Sequence, residues 1–350
     1  MSRKATSTTP PRLPRLLHPL RLCPKPSTSL LPLSILASVR HPLPKARKSL
    51  LHISGESLDL SSTRSSSVSN KLLKPAETRR SGSEVGCSAA AWAVIDGKTG
   101  ELIGGKQEET PREVASLTKI MTCYLSIQLL SAFPSISVDS TVEVSERAGK
   151  MAGTRAGLQA RDRLRVKDLL FALMLPSGND AAMVLAELFG LQLALRSGGD
   201  PTARLDRYFV REMNELAGEM RLNQTFFRNP HGMSTVKNIS TAKDISTLAS
   251  FALRNLYFRS IVSTPRYSCS ILNSNGDMRV KVWENTNRLL GRGYEGVKTG
   301  STGAAGACLC ASCPYQDSRL VVTVLAVRSM EERWTEVPRI VKWAIQGLSR

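Results

Sequence analysis

Most of the helical periodicity in this sequence lies in a central stretch with strand-like segments on both sides, and this separation limits the folds that the chain can adopt. Before the central stretch, two short apolar runs, Ala89–Ile95 and Glu101–Gly105, flank a turn and predict a β-hairpin. From about residue 115 to 262, apolar residues recur at intervals of three and four. This spacing predicts the helices Ala115–Leu130, Val166–Leu175, Asp180–Leu195, Ala203–Met220 and Thr241–Asn255.

After about residue 265 the pattern changes to short runs separated by turn residues. They predict the strands Tyr267–Leu272, Met278–Trp283, Gly293–Thr299, Ala305–Ala311 and Arg319–Val327, followed by a closing helix, Glu331–Leu348. The whole pattern predicts an α+β fold with an antiparallel sheet flanked by helices. We expect the first and last strands of the chain to share that sheet.

The first 86 residues differ in composition from the rest. Residues 1–80 contain 15 Lys and Arg against three acidic residues, are rich in Ser and Pro, and show no sustained periodicity. Such a segment cannot bury enough apolar surface to offset its ordering entropy, so we expect a disordered basic extension over 1–86 and a folded domain over 87–350. An organelle transit segment, a signal with Leu30–Val39 as its core, and a leader without a targeting role are all compatible with it. The expected location is therefore extracytoplasmic or organellar.

The charge balance and the positions of the cysteines argue against a nucleic-acid-binding surface and against a zinc site. Residues 81–350 carry 33 Lys and Arg against 26 acidic residues, an ordinary basic surface, so we expect no nucleic-acid partner. Cys308, Cys310 and Cys313 would need a fourth ligand to hold zinc, and His231 is the one histidine in this part. Cys308 and Cys310 are two apart on a predicted strand and can share a buried face instead. We expect no metal and no cofactor.

Three short motifs carry the chemistry. Serine enzymes that react with penicillin have Ser-x-x-Lys, Ser-x-Asn and Lys-Thr-Gly in this order. The first motif occurs three times here, at Ser116, Ser234 and Ser240, and the third occurs twice, at Lys98 and Lys298. The second occurs once, at 177–179, so the order leaves the single set Ser116/Lys119, Ser177/Asn179 and Lys298.

The residue types of this set suit acyl transfer. A serine hydroxyl needs an adjacent base, and a lysine can serve where no Ser-His-Asp triad can be assembled. Ser116 opens the strongest predicted helix, where the macrodipole favours negative charge, and Lys119 lies three residues later on the same face. Burial and Lys298 should both favour the neutral amine of Lys119. Taken singly, these residues could also be an N-cap, surface charges and turn formers.

With these motifs, the sequence resembles the low-molecular-mass penicillin-binding proteins that are D-alanyl-D-alanine carboxypeptidases. The similarity covers about residues 87–348 and is strongest in the strings 115–122, 176–182, 225–233, 240–242, 285–290 and 296–306. It implies the DD-peptidase fold related to β-lactamases, with a helical subdomain. It also implies that the substrate is a peptidoglycan stem peptide ending in D-Ala-D-Ala, and that β-lactam antibiotics acylate the same serine.

The resemblance also implies a role for each motif residue. Ser116 would attack the peptide carbonyl, Lys119 would be its base, and Ser177 would relay the proton to the leaving amine. Asn179 would position the substrate amide. The backbone N–H groups of Ser116 and Ser301 would form the oxyanion hole. The implied substrate-binding strand carries Lys298, Thr299, Gly300 and Ser301, of which the first two would bind the terminal carboxylate.

Two departures from the family pattern stand out. Many relatives carry a second β-rich domain and a C-terminal amphipathic anchor, whereas the closing helix ends this sequence, so we expect no C-terminal membrane anchor. The Gly-Asp pair that relatives have before the helix preceding Ser-x-Asn reads Arg161-Asp162 here. We expect this change to affect only a surface turn.

Two other functions stay open at this point. A class A-like β-lactamase is one, because Glu219–Asn223 mimics the Glu-x-x-Leu-Asn of those enzymes. A catalytically silent peptidoglycan-binding protein is the other, although intact Ser116, Lys119 and Lys298 argue against it.

Overall fold

The computed structural model describes residues 85–349. The strands are β1 (Ala91–Asp96), β2 (Leu102–Lys106), β3 (Arg112–Glu113), β4 (Thr141–Glu143), β5 (Arg163–Arg165), β6 (Ile239–Ser240), β7 (Arg266–Leu272), β8 (Met278–Glu284), β9 (Val297–Thr302), β10 (Gly306–Tyr315) and β11 (Ser318–Val327). The helices are α1 (Lys119–Ala132), α2 (Glu146–Gly149), α3 (Val166–Met174), α4 (Asn179–Arg196), α5 (Leu205–Glu219), α6 (Ala242–Arg254), α7 (Leu256–Ser263) and α8 (Arg333–Leu348). A 3-10 helix, Ala115–Thr118, directly precedes α1. The extension expected over 1–86 lies almost wholly outside the described residues, so it and the domain boundary stay predictions.

The main sheet has five antiparallel strands in the order β2-β1-β11-β10-β9. Ala91 pairs with Leu325 and Asp96 with Leu320, so the first strand of the domain lies against the last. This arrangement confirms the predicted α+β class and the shared sheet.

Helices cover both faces of the main sheet. Along β1, Ala91, Ala93 and Ile95 belong to the core that also contains residues of α1 and α6, whereas Trp92 and Val94 belong to the core formed with α8. This alternation is the period of two that a strand buried on both faces requires. The sheet therefore separates α8 from a layer that holds the other long helices.

The predicted helices are present with ends shifted by a few residues. At α6, Thr241 is the N-cap, and its hydroxyl accepts a hydrogen bond from the backbone N–H of Asp244. Sequence periodicity did not predict α2 and α7, which are too short to give a period. The helix predicted from Ala115 begins instead as the 3-10 turn and becomes an α-helix at Lys119.

The hairpin β7–β8 does not join the main sheet. It pairs with β4 and β5 in a second sheet of order β4-β5-β7-β8 and packs against the helical layer through Cys269, Ile271 and Trp283. Pairing between distant segments is decided by packing, and the local pattern of β7 and β8 is equally compatible with either sheet.

The turn at Arg161-Asp162 reaches further inward than expected. Arg161 is exposed, with φ +65°, a conformation that glycine adopts without strain. Asp162, however, is buried, accepts the backbone N–H of Gln159 at 2.7 Å and forms an ion pair with Arg279 of β8. The aspartate therefore links this loop to the second sheet.

The cysteines of β10 divide between the two faces of the main sheet. Cys308 and Cys310 are buried on the side of the helical layer, and Cys313 is buried on the α8 side. Between residues 85 and 349, no group of three or more His, Cys, Asp or Glu side chains is placed to hold a metal ion. None of the helices in this range combines the length and apolar character that a membrane span requires.

Candidate active site

Ser116 lies in the 3-10 turn at the start of α1. The residue before it, Ala115, has φ +48°, so the chain turns sharply as it enters the helix. Ser116 is half-buried, and its Oγ lies 2.9 Å from the Nζ of Lys119. The three-residue spacing predicted from the sequence thus brings the hydroxyl and the amine into hydrogen-bond contact.

Lys119 is fully buried and has three oxygen neighbours. Besides Ser116 Oγ, its Nζ is 2.7 Å from Asn179 Oδ1 and 2.7 Å from the backbone carbonyl of His231. Burial, and then the charge of Lys298, hold the pKa of Lys119 well below its usual range, although the carboxylate of Asp180 acts in the opposite direction.

Asp180 is itself occupied by the loop that precedes β5. Its two carboxylate oxygens accept the backbone N–H groups of Ala156, Gly157 and Leu158 at 2.9–3.0 Å. This carboxylate therefore organises a loop and makes no direct ion pair with Lys119.

Ser177 and Asn179 lie in the connection from α3 to α4, as the sequence predicts. Ser177 has φ +66° and its buried Oγ has no hydrogen-bond partner among the described residues. Asn179 is the first residue of α4, and its Nδ2 donates to the carbonyl of Ala152 at 2.8 Å while its Oδ1 faces Lys119. Asn179, and not Ser177, is thus the member of this motif that contacts the lysine.

Lys298 is almost completely buried on β9, and its Nζ donates to the carbonyl of Thr299 at 3.0 Å. Burial, followed by the charge of Arg333, lowers the pKa of Lys298 to about 7. The hydroxyl of Thr299 is 2.7 Å from that of Thr286, in the segment after β8. Near neutral pH, Lys298 is therefore divided between its charged and neutral forms.

The next two residues of β9 pass beside the serine. A Cβ at Gly300 would lie 3.1 Å from the backbone nitrogen of Ser116 and 3.2 Å from that of Leu117. Ser301 is exposed. The close approach of strand and 3-10 turn explains why the position after Thr299 is a glycine, and it places β9 along one wall of the Ser116 site.

Sequence reasoning did not predict two of the contacts around these residues. In the sequence, His231 is of interest for its imidazole ring, as the one histidine that could be a metal ligand. In the structure, its backbone carbonyl is the group that contacts Lys119. Burial, followed by Lys119, lowers the ring's pKa to about 3, and Nδ1 accepts the N–H of Met233. Arg333 of α8 is buried and donates to the carbonyls of Gly300 and Cys308 at 3.4 and 3.2 Å. Its one sequence signal is its position four residues before Val337, on the stripe of α8 that faces the sheet.

This arrangement combines the groups that acyl transfer requires. A hydroxyl contacts an amine whose environment favours the neutral form, and a buried lysine with a lowered pKa stands on the neighbouring strand. The exposed decoy Lys98-Thr99-Gly100 lies instead in the turn between β1 and β2.

The sequence is similar to those of known proteins. The sequence profile described as D-alanyl-D-alanine carboxypeptidase matches residues 78–329. The D-alanyl-D-alanine carboxypeptidase of Streptomyces sp. strain K15 is 32% identical over 263 residues, which are 73% of this chain and 87% of that protein. DacF of Bacillus subtilis, also named a D-alanyl-D-alanine carboxypeptidase, is 32% identical over 265 residues, 75% of this chain and 63% of the relative.

Solved structures show the same similarity. The crystal structure of the Streptomyces K15 DD-transpeptidase aligns with a TM-score of 0.67 and 31% identity, over 74% of this chain and 98% of that one. The profile match extends over more than half of the sequence and includes all three motifs. The chain therefore belongs to the D-alanyl-D-alanine carboxypeptidase family.

Proposed function

We propose that this protein removes the terminal D-alanine from peptidoglycan stem peptides that end in D-Ala-D-Ala, through an acyl-enzyme on Ser116. The observation that carries this proposal is the fully buried Lys119, whose Nζ lies 2.9 Å from Ser116 Oγ and whose pKa is held low by burial and Lys298. A lysine in this environment can act as a general base at neutral pH.

The hydrogen-bond count around Lys119 can be met by a neutral amine as well as by the ammonium. A neutral lysine has two N–H groups and one lone pair, and two of the three oxygen neighbours, Asn179 Oδ1 and the His231 carbonyl, can only accept. The lone pair is then left for the hydroxyl of Ser116. Lys119 would take this proton while Ser116 Oγ bonds to the peptide carbonyl carbon.

The second half of acylation transfers that proton to the leaving group. Backbone N–H groups of Ser116 and Ser301 would stabilise the oxyanion. When the C–N bond breaks, the leaving D-alanine amine needs one proton, and the unpartnered hydroxyl of Ser177 would relay it from Lys119 once the two side chains come into hydrogen-bond contact. Asn179 would hold the substrate amide. Water then attacks the ester, the stem peptide leaves as a carboxylate, and Ser116 regains its hydrogen.

Lys298 would give the enzyme a preference for a terminal carboxylate. As a cation it would pair with the carboxylate of the last D-alanine, and the Thr299 hydroxyl would donate to the same group. Gly300 would keep β9 close to Ser116. The shape and charge of this set also suit β-lactam antibiotics, which carry a carboxylate beside their reactive carbonyl.

A β-lactamase is less well supported. Glu219, the residue that suggested it, ends α5 and is exposed, and the hydrogen-bonding neighbours of Ser116 and Lys119 include no carboxylate. We therefore expect penicillins to acylate the protein and to be released slowly. A brief burst of nitrocefin turnover without sustained hydrolysis is the result that separates the two activities.

The location of the reaction follows from its substrate. We propose that the protein acts where peptidoglycan is accessible, outside the cytoplasm or within an organelle. Any targeting information in residues 1–84 lies outside the described residues.

The test is D-alanine release from a pentapeptide ending in D-Ala-D-Ala by the full chain, with Ser116→Ala and Lys298→Ala as variants. Both variants should lose more than about 99% of the activity, because they remove the nucleophile and the carboxylate partner. Lys237→Ala is the matched control, since Lys237 belongs to a decoy Ser-x-x-Lys and is exposed beside Glu113. Release by Ser116→Ala at the parental rate would overturn the proposal. In a separate measurement, an added amine acceptor shows whether transfer of the acyl group to the amine competes with its hydrolysis.

A further inference from the structure

A tight turn formed by residues 229–232 supplies the carbonyl that contacts Lys119. The His231 carbonyl is 2.7 Å from Lys119 Nζ, although no catalytic motif includes this turn. Because it occupies one of the two N–H groups of a neutral lysine, its position helps to decide where the lone pair of that lysine points.

Asn229 holds the turn from within. Its Oδ1 accepts the backbone N–H groups of His231 at 3.2 Å and of Gly232 at 2.6 Å, and its Nδ2 donates to the carbonyls of Met233 and Val236. The side chain is buried, so these bonds do not compete with water. Asn229 thereby fixes the peptide unit that contains the His231 carbonyl and the unit before it.

Asn238 holds the turn from outside and joins it to the nucleophile. Its Oδ1 accepts the N–H groups of Arg228 and Asn229, and its Nδ2 donates to the Asn229 carbonyl and to Thr118 Oγ1, both at 2.9 Å. Thr118 follows Ser116 by two residues and its own hydroxyl donates to Ala115. One buried amide thus connects the turn to the 3-10 helix that carries the serine.

Two further contacts hold the turn against α1 and against the 3-10 helix that precedes it. Thr122 Oγ1, one turn after Lys119, donates to the Pro230 carbonyl at 2.6 Å. Gly232 has φ +88°, and a Cβ there would lie 1.9 Å from the carbonyl oxygen of Ala115. The turn consequently covers Lys119 with no space for a side chain between it and the helix.

We propose that Asn229 and Asn238 are positioning residues for acylation, which hold the His231 carbonyl on Lys119 so that the amine stays dry and directs its lone pair at Ser116. The inference rests on the proposed function, because it assigns the two amides to the base of that reaction. Neither residue touches the substrate.

The charged and titratable groups facing Lys119 set the sign of the expected change. They are Lys298 on β9, Asp180 on α4 and the neutral ring of His231 on the turn. Burial is the largest cause of the low pKa of Lys119, and the turn contributes to it by lying against the amine. If the turn loosens and admits water, the pKa of Lys119 rises, and acylation requires a higher pH.

The test compares Asn238→Ala with the parent in covalent labelling by fluorescent penicillin from pH 5 to 10. We expect the acylation rate at pH 7 to fall at least tenfold, and the acid limb of the rate profile to move to higher pH by about one unit. Asn214→Ala is the matched control, because Asn214 also bonds to this segment, at Phe227, but does not contact the turn. It should lower the melting temperature while leaving the rate and the acid limb in place.

A second pair of variants keeps the inference testable if Asn238→Ala does not fold. Thr122→Val removes the bond to Pro230 at nearly constant volume and should shift the acid limb in the same direction. Ser126→Ala, one turn further along α1, alters a buried hydroxyl that has no hydrogen-bond partner among the described residues and should shift nothing. An unmoved acid limb in the first variant of either pair, or an equal shift in its control, would overturn the inference. The proposed function is decided by separate results: it fails if the parent chain does not release D-alanine, or if Ser116→Ala releases it at the parental rate.

Discussion

At the scale of single residues, the site depends on two lysines held away from water. Ion pairs with carboxylates are the usual way to keep a buried lysine charged, yet neither Lys119 nor Lys298 makes one with any described residue. Their motifs could be found in the sequence because order and spacing eliminate the decoys. The contact between Lys119 and the carbonyl of His231 could not be found, because these two residues are more than a hundred positions apart in the chain.

The pH dependence of kcat/KM should show both lysines. Activity should rise with pH as Lys119 loses its proton, and should fall above about pH 7, where Lys298 becomes neutral and no longer attracts a carboxylate. Rate profiles for a peptide with a free terminal carboxylate and for the same peptide amidated check this. The alkaline limb should be absent for the amide, and an identical limb for both substrates would contradict the role given to Lys298.

Replacing Lys298 should stabilise the protein while it removes activity. The pKa of Lys298 is about 7 when folded and near 10.5 when unfolded, so the unfolded chain binds more protons between these values and stability rises with pH there. The Lys298→Met protein should therefore have a free energy of unfolding about 1–3 kcal/mol higher at pH 7, a gain that shrinks toward pH 10. Chemical denaturation at several pH values measures this, with exposed Lys237→Met as the control expected to show no gain.

At the scale of elements, some helices and strands follow from the local sequence pattern, whereas others depend on tertiary contacts. The local pattern was sufficient for the long helices, whose apolar residues recur at intervals of three and four, and for β10 and β11, which are continuous runs buried on both faces of the sheet. It failed for the start of α1 and the partner of β7–β8, where the outcome depends on what packs alongside. The left-handed conformations of Ala115 and Ser177 are also invisible in the sequence, since neither residue is a glycine.

The contact between β9 and the 3-10 turn can be tested by one methyl group. In Gly300→Ala, the new Cβ would meet the backbone of Ser116 and Leu117 at 3.1–3.2 Å, so strand and turn must separate by a few tenths of an ångström. Acylation by penicillin should fall about tenfold to a hundredfold, because catalysis is sensitive to small displacements, with a smaller effect on melting temperature. In Gly303→Ala the new Cβ has free space, so that variant should behave as the parent.

At the scale of the whole molecule, the two ends of the described chain close on each other. The carboxylate of Glu336 in α8 is buried and accepts the backbone N–H groups of Ser88 and Ala89 at 2.6 and 3.2 Å. The same helix places Arg333 behind β9. The α8 layer therefore joins the entry of the domain to the back of the active-site strand.

Removing this connection should affect stability more than chemistry. Glu336→Ala leaves two N–H groups without their acceptor and should lower the free energy of unfolding by about 2–3 kcal/mol, with the acylation rate unchanged well below the melting temperature. Glu331→Ala removes an exposed carboxylate that pairs with Arg288 at 2.7 Å, and should cost less than about 1 kcal/mol. Equal losses in the two variants would show that the buried carboxylate has no special part in holding the ends together.

The position of β9 at the edge of the main sheet has a last consequence. Ser116 belongs to the helical layer, whereas Lys298 belongs to the sheet, and the close approach at Gly300 is one of the contacts that hold the two layers together at the site. An inhibitor that is covalently attached to the first and ion-paired with the second would link the layers directly. The inhibited protein would then be more resistant to heat and to proteolysis than the free one.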